Sequence, residues 1–382
     1  MKKTLTILLF FCITILFRCS DVFQDTIPEE TEIQELNSSL DEDCIACVTL
    51  CPPGEICPPP PPPPPAGPLP ARFQYFQRGF YSDRINTSLS ASGTGNWSTE
   101  AAIAGSQVTS ARADGALAPI TFNGYTYVFY KGQQSHQEIY WARTSNGNTW
   151  TGNSVLGSNA RTNNPPVATV LNDRIYVYHI GRSGSYIWVS ISDRNDGTSY
   201  SANQAIQNLD GSIRVYPVSI DSNQGEQLAA VTFNNRIYIF YGRKDDTDEG
   251  KVWYISSSNG IQFTDPVLID NFRTDEGISA TVHNNQIYYT YVDISSNTIF
   301  VARTTNPGTR ISGSVIRVNG TLARSLSTAS IASDGSRLVV VYHSTGDIVH
   351  YAYSDDDGST WNGNLPAQGQ SRSSPSLVYT EN

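Results

Sequence analysis

The part of the chain that follows Cys57 contains no cysteine, so disulfides cannot stabilise it and its stability must come from packing. Charge is also scarce, since Asp, Glu, Lys and Arg make up 16% of the 382 residues. From residue 72 onward, 22 basic residues stand against 25 acidic ones. This part is therefore near neutral, and it lacks the basic excess that a nucleic-acid partner requires. Its many tyrosines and glycines favour an all-β fold with tight turns.

The N-terminus is typical of an export signal. Two lysines precede the 13-residue apolar stretch Leu5 to Phe17, which is short for a membrane-spanning helix of about 20 residues. Cys19 follows, as in a lipoprotein signal, although Arg18 stands where that signal has a small residue. We expect a signal peptide over residues 1–18, lipidation of Cys19, and attachment to the outer membrane or cell surface through this lipid. The alternative is an ordinary cleaved signal or an uncleaved anchor.

An acidic stalk and a proline linker are predicted next. Ten acidic residues and no lysine or arginine lie between Ser20 and Ala71. We expect a disordered stalk over residues 19–57, in which two local disulfides are favoured over a zinc site and three pairings stay open. Residues 58–70 are proline-rich and should form an extended spacer of roughly 3.1 Å per residue. The stalk cysteines are Cys44, Cys47, Cys51 and Cys57.

From residue 71 the chain repeats itself. Each unit has an apolar strand, an Asn/Asp/Gly turn, a second strand rich in Tyr and Ile, a third strand, and a polar turn that ends on an aromatic residue. The five complete second strands begin 49, 62, 50 and 51 residues apart. A period near 50 with four strands per unit is typical of a β-propeller. These strands begin at Thr126, Ile175, Ile237, Ile287 and Leu338.

The two ends of the repeat region supply a sixth unit. Arg72 to Phe76 occupies a second-strand position without a first strand, and Ser374 to Tyr379 is a first strand without a second. We therefore predict that residues 71–382 form a single six-bladed β-propeller with four-stranded blades. The C-terminal strand should pair with the N-terminal blade, because ring closure removes exposed sheet edges.

A polar turn near the C-terminus carries a family resemblance. Ser354, Asp356, Gly358, Thr360 and Trp361 fit the pattern S-x-D-x-(x)-G-x-T-W, with degenerate copies that begin at Ser145, Ser192 and Ser258. This pattern resembles the Asp-box of the sialidase-like (BNR repeat) propeller superfamily. The resemblance implies that the box is structural and lies on the face opposite the ligand site. A calcium site at Asp355 to Asp357 is an alternative that we do not favour.

Arginines recur a few residues before the predicted inner strands. If they converge on the channel mouth, they form a basic ring that can grip a carboxylate or sulfate; the resemblance points the same way, because sialidases bind the sialic acid carboxylate through three arginines. The alternative is that each arginine stabilises its own blade junction. The junction from about Gln207 to Gln227 is longer than the others and contains Arg214 and Tyr216, which we expect to add a specificity contact. The predicted ligand-binding residues are Arg112, Arg161, Arg273, Arg324, Arg372, Arg214 and Tyr216.

The resemblance does not extend to the catalytic motif. Where the family has an early R-I-P, this chain has Leu117, Ala118 and Pro119. The five histidines have no metal-ligand spacing, so neither a metal nor a cofactor is expected. We therefore expect a non-catalytic, surface-displayed head that binds glycans or another surface macromolecule. The alternatives are an exo-sialidase-type hydrolase and an accessory subunit of an outer-membrane assembly.

Overall fold

A computed structural model describes residues 71–105, 111–133, 137–182, 186–213, 228–242, 250–305 and 312–381. They belong to the compact unit Pro65–Asn382 and are all-β, with no helix in these ranges. Accordingly, none of the described segments is a helix that is long and apolar enough to span a membrane. The signal peptide of residues 1–18, Cys19, the stalk of residues 19–57 and the linker of residues 58–70 lie outside the described residues, so these expectations stay predictions.

Six four-stranded antiparallel sheets form the blades of the predicted propeller. From the inner to the outer strand, blade 1 consists of β28 (Ser376–Thr380), β1 (Arg72–Arg78), β2 (Ile85–Ser90) and β3 (Ala101–Ala102). Blade 2 consists of β4 (Ala113–Phe122), β5 (Tyr125–Gly132), β6 (Ile139–Thr144) and β7 (Thr151–Val155). Blade 3 consists of β8 (Val167–Leu171), β9 (Arg174–Ile180), β10 (Ile187–Ile191) and β11 (Gln204–Ala205).

The second half of the ring repeats this plan. Blade 4 consists of β13 (Ala229–Phe233), β14 (Arg236–Gly242), β15 (Lys251–Ser257) and β17 (Val267–Arg273). Blade 5 consists of β18 (Ser279–His283), β19 (Gln286–Val292), β20 (Ile299–Thr304) and β21 (Ser312–Val315). Blade 6 consists of β24 (Ser330–Ser333), β25 (Leu338–His343), β26 (Ile348–Ser354) and β27 (Asn362–Gln370). Two small ladders complete the set: β12 (Gln207–Asn208) with β16 (Gln262–Phe263), and β22 (Arg317–Val318) with β23 (Thr321–Leu322).

The C-terminal strand closes the ring, as predicted. Strand β28 pairs antiparallel with β1, in a register that places Arg72 opposite Thr380 and Phe76 opposite Ser376. Each inner strand contacts the inner strands of both neighbouring blades, and β28 contacts those of blades 6 and 2. The inner strands therefore surround a central channel, and the two chain ends share one blade.

The hairpins between inner and second strands depend on backbone with positive φ. Asn123, Asn172, Asn234 and Asn284 have φ between 44° and 50°, and the residue after each also has positive φ. These four turns are the predicted two-residue turns, in which Asn and Gly tolerate the left-handed conformation. The fifth prediction, Asp334 with Gly335, is wrong. There Ser333 pairs with Leu338, and the Asp334 carboxylate accepts hydrogen bonds from the backbone of the turn, so the turn has four residues.

Candidate functional site

One end of the propeller carries both the inter-blade connections and the loops between second and third strands. Backbone bridges join the two sets, for example Arg84 with Arg112, Glu138 with Arg161, and Thr298 with Arg324. We call this end the mouth face. The predicted Asp-box turns follow the third strands and lie at the opposite end, which we call the box face. The arrangement agrees with the orientation expected from the sequence.

A cleft of about 180 Å³ lies on the mouth face over blades 6, 1 and 2. Its charged residues are Arg78, Asp114, Lys131 and Arg372. Asp114 is the one carboxylate among the lining residues, against three permanent cations. We call this cleft the crescent. The rest of its lining is Gly115, Ala116, Asn163, Pro165, Leu326, Ser327, His343, Ser373 and Ser374.

Asp114 is held between two cations. Lys131 Nζ lies 3.0 Å from Asp114 Oδ2, and Arg78 Nη1 lies 3.3 Å from Asp114 Oδ1. Arg78 also donates a 2.8 Å hydrogen bond from Nε to Asp83, and Lys131 donates to the carbonyl of Asn163. The Lys131 and Arg78 side chains are mostly buried, at 12% and 20% exposure. These bonds fix two cations at the cleft wall with few accessible rotamers.

The crescent arises because one position in the repeat differs between the two halves of the ring. At the mouth end of every second strand, one residue pairs with the buried Ile or Val near the start of the third strand. This residue is polar in blades 6, 1 and 2 and apolar or glycine in blades 3, 4 and 5. The six residues, from blade 1 to blade 6, are Arg78, Lys131, Ile180, Gly242, Val292 and His343. None of these residues was among the predicted site residues, although an alignment of the second-strand ends shows the difference.

Four of the predicted arginines occupy equivalent positions, and Arg372 does not. In each of these four junctions, one backbone amide donates a hydrogen bond to the turn before a third strand, and the arginine is the residue directly before that amide. The four arginines are all exposed: Arg112, Arg161, Arg273 and Arg324. We call them the rim arginines. Arg161 pairs with Glu138 of its own blade, with Nη2 3.0 Å from Oε1.

Arg372 lies two positions further along its junction. Ser371 in this junction is equivalent to Thr162 in the junction after blade 2. The hydroxyl of each accepts a hydrogen bond from the backbone amide two residues later in the chain. In both junctions the next residue lines the crescent: Asn163 follows Thr162, and Arg372 follows Ser371. The Arg372 guanidinium also lies 4.9 Å from the ring centre of Phe80. Among the predicted arginines that the structure describes, Arg372 is thus the one that lines the cleft. Arg214 and Tyr216 lie outside the described residues, and a ligand-binding role for the whole set stays a prediction.

The central channel below the mouth is narrow and uncharged. Its cavity is about 90 Å³, and the inner strands line it with small apolar and hydroxyl side chains such as Ala118, Ala168, Ala229, Ser279 and Ser330. No ionisable side chain is among the residues that line it. Of these two cavities, the crescent is therefore the one with a charged lining.

The Asp-box forms a closed set of hydrogen bonds on the box face. The Ser354 hydroxyl donates to Asp356 and accepts from the amide of Gly358, which has a φ of 79°. Asp356 also accepts from the amide and hydroxyl of Thr360, and these bonds hold the pKa of its carboxyl below the usual range. Trp361, 5% exposed, packs in the core between blades 5 and 6. The box residues therefore bind one another.

The degenerate boxes start one residue earlier than predicted in two blades. The hydroxyls that bond to the turn glycine are those of Thr144 and Ser257, which replace the predicted Ser145 and Ser258. The reason is that the hydroxyl must end the third strand and point inward, where both residues are buried. In blades 1 to 4 the aromatic residue of this turn packs against the preceding blade: Trp97 against Tyr351, Trp150 against Phe76, Tyr200 against Phe129 and Phe263 against Tyr178.

The three consecutive aspartates of the box have separate partners. Asp355 binds Arg337, Asp356 binds Thr360, and Asp357 binds His283. Over the described ranges, no group of three or more His, Cys, Asp or Glu side chains is placed to hold a metal ion.

Comparison with known proteins identifies related folds. No family model and no curated protein sequence matches the chain. A solved structure of AofleA from Arthrobotrys oligospora matches with a TM-score of 0.53 at 12% identity, covering 81% of this chain and 90% of that chain. Aleuria aurantia lectin in complex with Fucα1-6GlcNAc matches with a TM-score of 0.52 at 12% identity, covering 79% and 97%. An α-L-arabinanase of Penicillium chrysogenum complexed with arabinobiose matches at a TM-score of 0.49 and 14% identity, covering 68% and 83%. Similarity at this level of identity establishes the propeller fold alone.

Proposed function

We propose that this chain is a surface-displayed recognition protein whose propeller binds acidic glycans, or another acidic surface macromolecule, at the crescent without catalysis. The observation that carries the proposal is the cleft itself, which three cations, Arg78, Lys131 and Arg372, line together with one carboxylate, Asp114. With Asp83, the second partner of Arg78, counted beside Asp114, one of the three cations remains in excess. Guanidinium groups bind carboxylate and sulfate in two-pronged fashion. The lectin fold neighbours support carbohydrate as the class of ligand.

Arg372 is the cation best placed for the ligand. Arg78 and Lys131 already bind Asp114, whereas Arg372 contacts the face of Phe80. A guanidinium that lies over an aromatic ring still has N–H groups that can donate hydrogen bonds to a further partner. The rim arginines come two positions earlier in their connections, outside the lining of the crescent, and contribute to the positive potential that attracts an acidic ligand.

The lining of the crescent favours binding over hydrolysis. Glycoside hydrolysis uses two carboxyl groups, one as acid and one as base or nucleophile. The crescent offers Asp114, and this carboxylate is already engaged in ion pairs with Arg78 and Lys131. The sialidase-type alternative therefore receives less support than the recognition function.

A second candidate function, docking of a protein partner, is favoured by exposed apolar residues. Four large apolar side chains on mouth-face loops are well exposed, with Tyr81 at 86%. One of them, Leu326, also lines the crescent. The remaining two are Tyr186 and Ile294.

Display on the cell surface completes the proposal. Lipidation of Cys19 would anchor the chain, and the stalk and proline linker would hold the propeller away from the membrane. Mass spectrometry of the N-terminal peptide from the membrane fraction tests this step. A diacylglyceryl adduct on Cys19, lost together with membrane association in Cys19→Ala, is expected. An unmodified Cys19 in a membrane-free protein would contradict it.

A glycan array tests the recognition function. The full-length chain should bind glycans with sialic acid, uronic acid or sulfate, and binding should weaken as salt rises because the attraction is partly Coulombic. A fluorogenic sialoside should remain intact in its presence. Release of the fluorophore would favour the hydrolase alternative, and an array without any acidic hit would favour the docking partner.

A further inference from the structure

A second cavity lies on the box face, between blades 5 and 6, far from the crescent. Its volume is about 250 Å³. Tyr288, Val301 and Arg303 line it from blade 5, and the box turn from Asp357 to Ser359 lines it from blade 6. Ser314 stands at the rim and is exposed. We call this cavity the blade 5/6 pocket.

The same pair of polar residues occurs in blade 2, where the corresponding space is filled. Tyr288 pairs with Arg303 across β19 and β20, as Tyr127 pairs with Arg143 across β5 and β6. In both pairs the guanidinium donates to the tyrosine hydroxyl, at 3.2 Å and 3.0 Å. The two blades therefore share their framework and differ in what surrounds it.

Two large aromatic side chains fill blade 2. Trp141, 7% exposed, occupies the third-strand position that Val301 occupies in blade 5. The ring of Tyr125 lies 4.4 Å from the guanidinium of Arg143, and its position in blade 5 carries Gln286.

The box turn also lies closer in blade 2. A Cβ atom built on Gly197 would fall 2.5 Å from the Tyr127 ring, whereas one on Gly358 would fall 3.7 Å from the Tyr288 ring. The blade 5/6 pocket thus arises because smaller residues surround a Tyr–Arg pair whose geometry is the same as in blade 2.

The polar groups of the pocket have opposite charges and fixed positions. The Tyr288 hydroxyl donates to the carbonyl of Asp357 at 3.2 Å. The Asp357 carboxylate accepts from His283 and Asn284, and these bonds lower its pKa, so it remains anionic. With Arg303 on one side and Asp357 on the other, an isolated anion or cation meets repulsion from one of them.

We propose that the blade 5/6 pocket binds a neutral pyranose residue. A sugar can use its hydroxyls both to donate to a carboxylate and to accept from a guanidinium, and its ring carbons can cover the apolar side chain of Val301. This inference rests on the proposed function only in taking carbohydrate as the class of ligand.

Two variants should close the pocket, and blade 2 supplies the matched control. Val301→Trp restores the residue that fills blade 2, and Ser314→Trp covers the rim from an exposed position. Ser154→Trp is the control, because Ser154 pairs with Trp141 as Ser314 pairs with Val301. Melting temperatures identify any variant that fails to fold. If Val301→Trp does not fold, Ser314→Trp alone tests the proposal.

The probe is a panel of methyl pyranosides titrated into the full-length chain and followed by ligand-observed NMR. We expect saturable millimolar binding of at least one neutral pyranoside, weakened about tenfold in the folded pocket variants, a loss of about 1.4 kcal/mol, and unchanged in Ser154→Trp. Acidic ligands should keep their affinity in the same variants, which separates this site from the crescent. Absence of pyranoside binding, or equal binding by wild type and both pocket variants, would overturn the proposal.

Discussion

The Tyr178 hydroxyl in blade 3 donates a 2.8 Å hydrogen bond to the carbonyl of Gly260 in the box turn of blade 4. Tyr178 is fully buried, and Phe263 of the same turn packs edge-on against its ring. A similar contact joins Tyr288 to Asp357 between blades 5 and 6. In these two places the box turn therefore connects its blade to the one before it, and its loss should affect the fold before any ligand surface.

Removal of Trp361 tests this structural role. Trp361→Ala deletes a buried ring between two blades and should lower the free energy of unfolding by about 3 to 5 kcal/mol. Trp361→Phe should cost less, because Phe263 fills the same position in blade 4. Denaturant unfolding of both variants measures the difference. A normally stable Trp361→Ala protein that has lost glycan binding would show that the box face carries the function.

Closure of the ring gives a second prediction. Deletion of Ser374 to Asn382 removes the inner strand of blade 1 and its contacts with both neighbouring blades, so the melting temperature should fall sharply. Deletion of Glu381 and Asn382 alone is the control and should leave it unchanged. Calorimetry compares the three proteins. Equal melting temperatures for the long deletion and the wild type would contradict a closed six-bladed ring.

The seam between blades 1 and 6 should be sensitive to pH. Glu100 lies against Gly369, its Oε1 atom is buried, and burial raises the pKa of its carboxyl from 4.5 to about 7. Between these two values the folded chain binds more protons at this site than the unfolded chain, so this residue makes stability fall as pH rises from about 4.5 to 7.

Glu100→Gln should remove that dependence. Its melting temperature relative to wild type should rise from about pH 4.5 to pH 7 and then level off. Glu138→Gln is the control, because Glu138 forms a partly exposed ion pair with Arg161. Thermal melts across this range measure both differences. A constant difference between Glu100→Gln and wild type would contradict the raised pKa.

The fold was predictable because its signals repeat. The Asn-rich turns need positive φ at fixed spacing, and the unpaired strands at the two ends complement each other. The crescent was not predictable by the same reasoning, because it depends on residues that break the repeat. Arg78 and Lys131 stand where other blades have Ile180 or Val292, so a search for recurring residues passed over them.

The placement of the arginines shows a further limit of sequence reasoning. Arg372 and Arg324 look equivalent in sequence, since each stands a few residues before an inner strand. Their backbone bonds differ by two positions, which places Arg372 at the crescent and Arg324 at the rim. Such a shift depends on which amide meets which carbonyl at the junction, and residue spacing alone does not specify that.

The affinity of paired arginine and lysine variants for an acidic glycan tests the central claim most directly. Calorimetric titration of a sialylated or sulfated array hit should show a large loss of affinity in Lys131→Ala with Arg372→Ala, which removes two crescent cations. The matched rim pair, Arg112→Ala with Arg324→Ala, removes the same charge and should keep most of the affinity with a weaker salt dependence. Equal losses in both pairs, or a larger loss in the rim pair, would contradict recognition at the crescent.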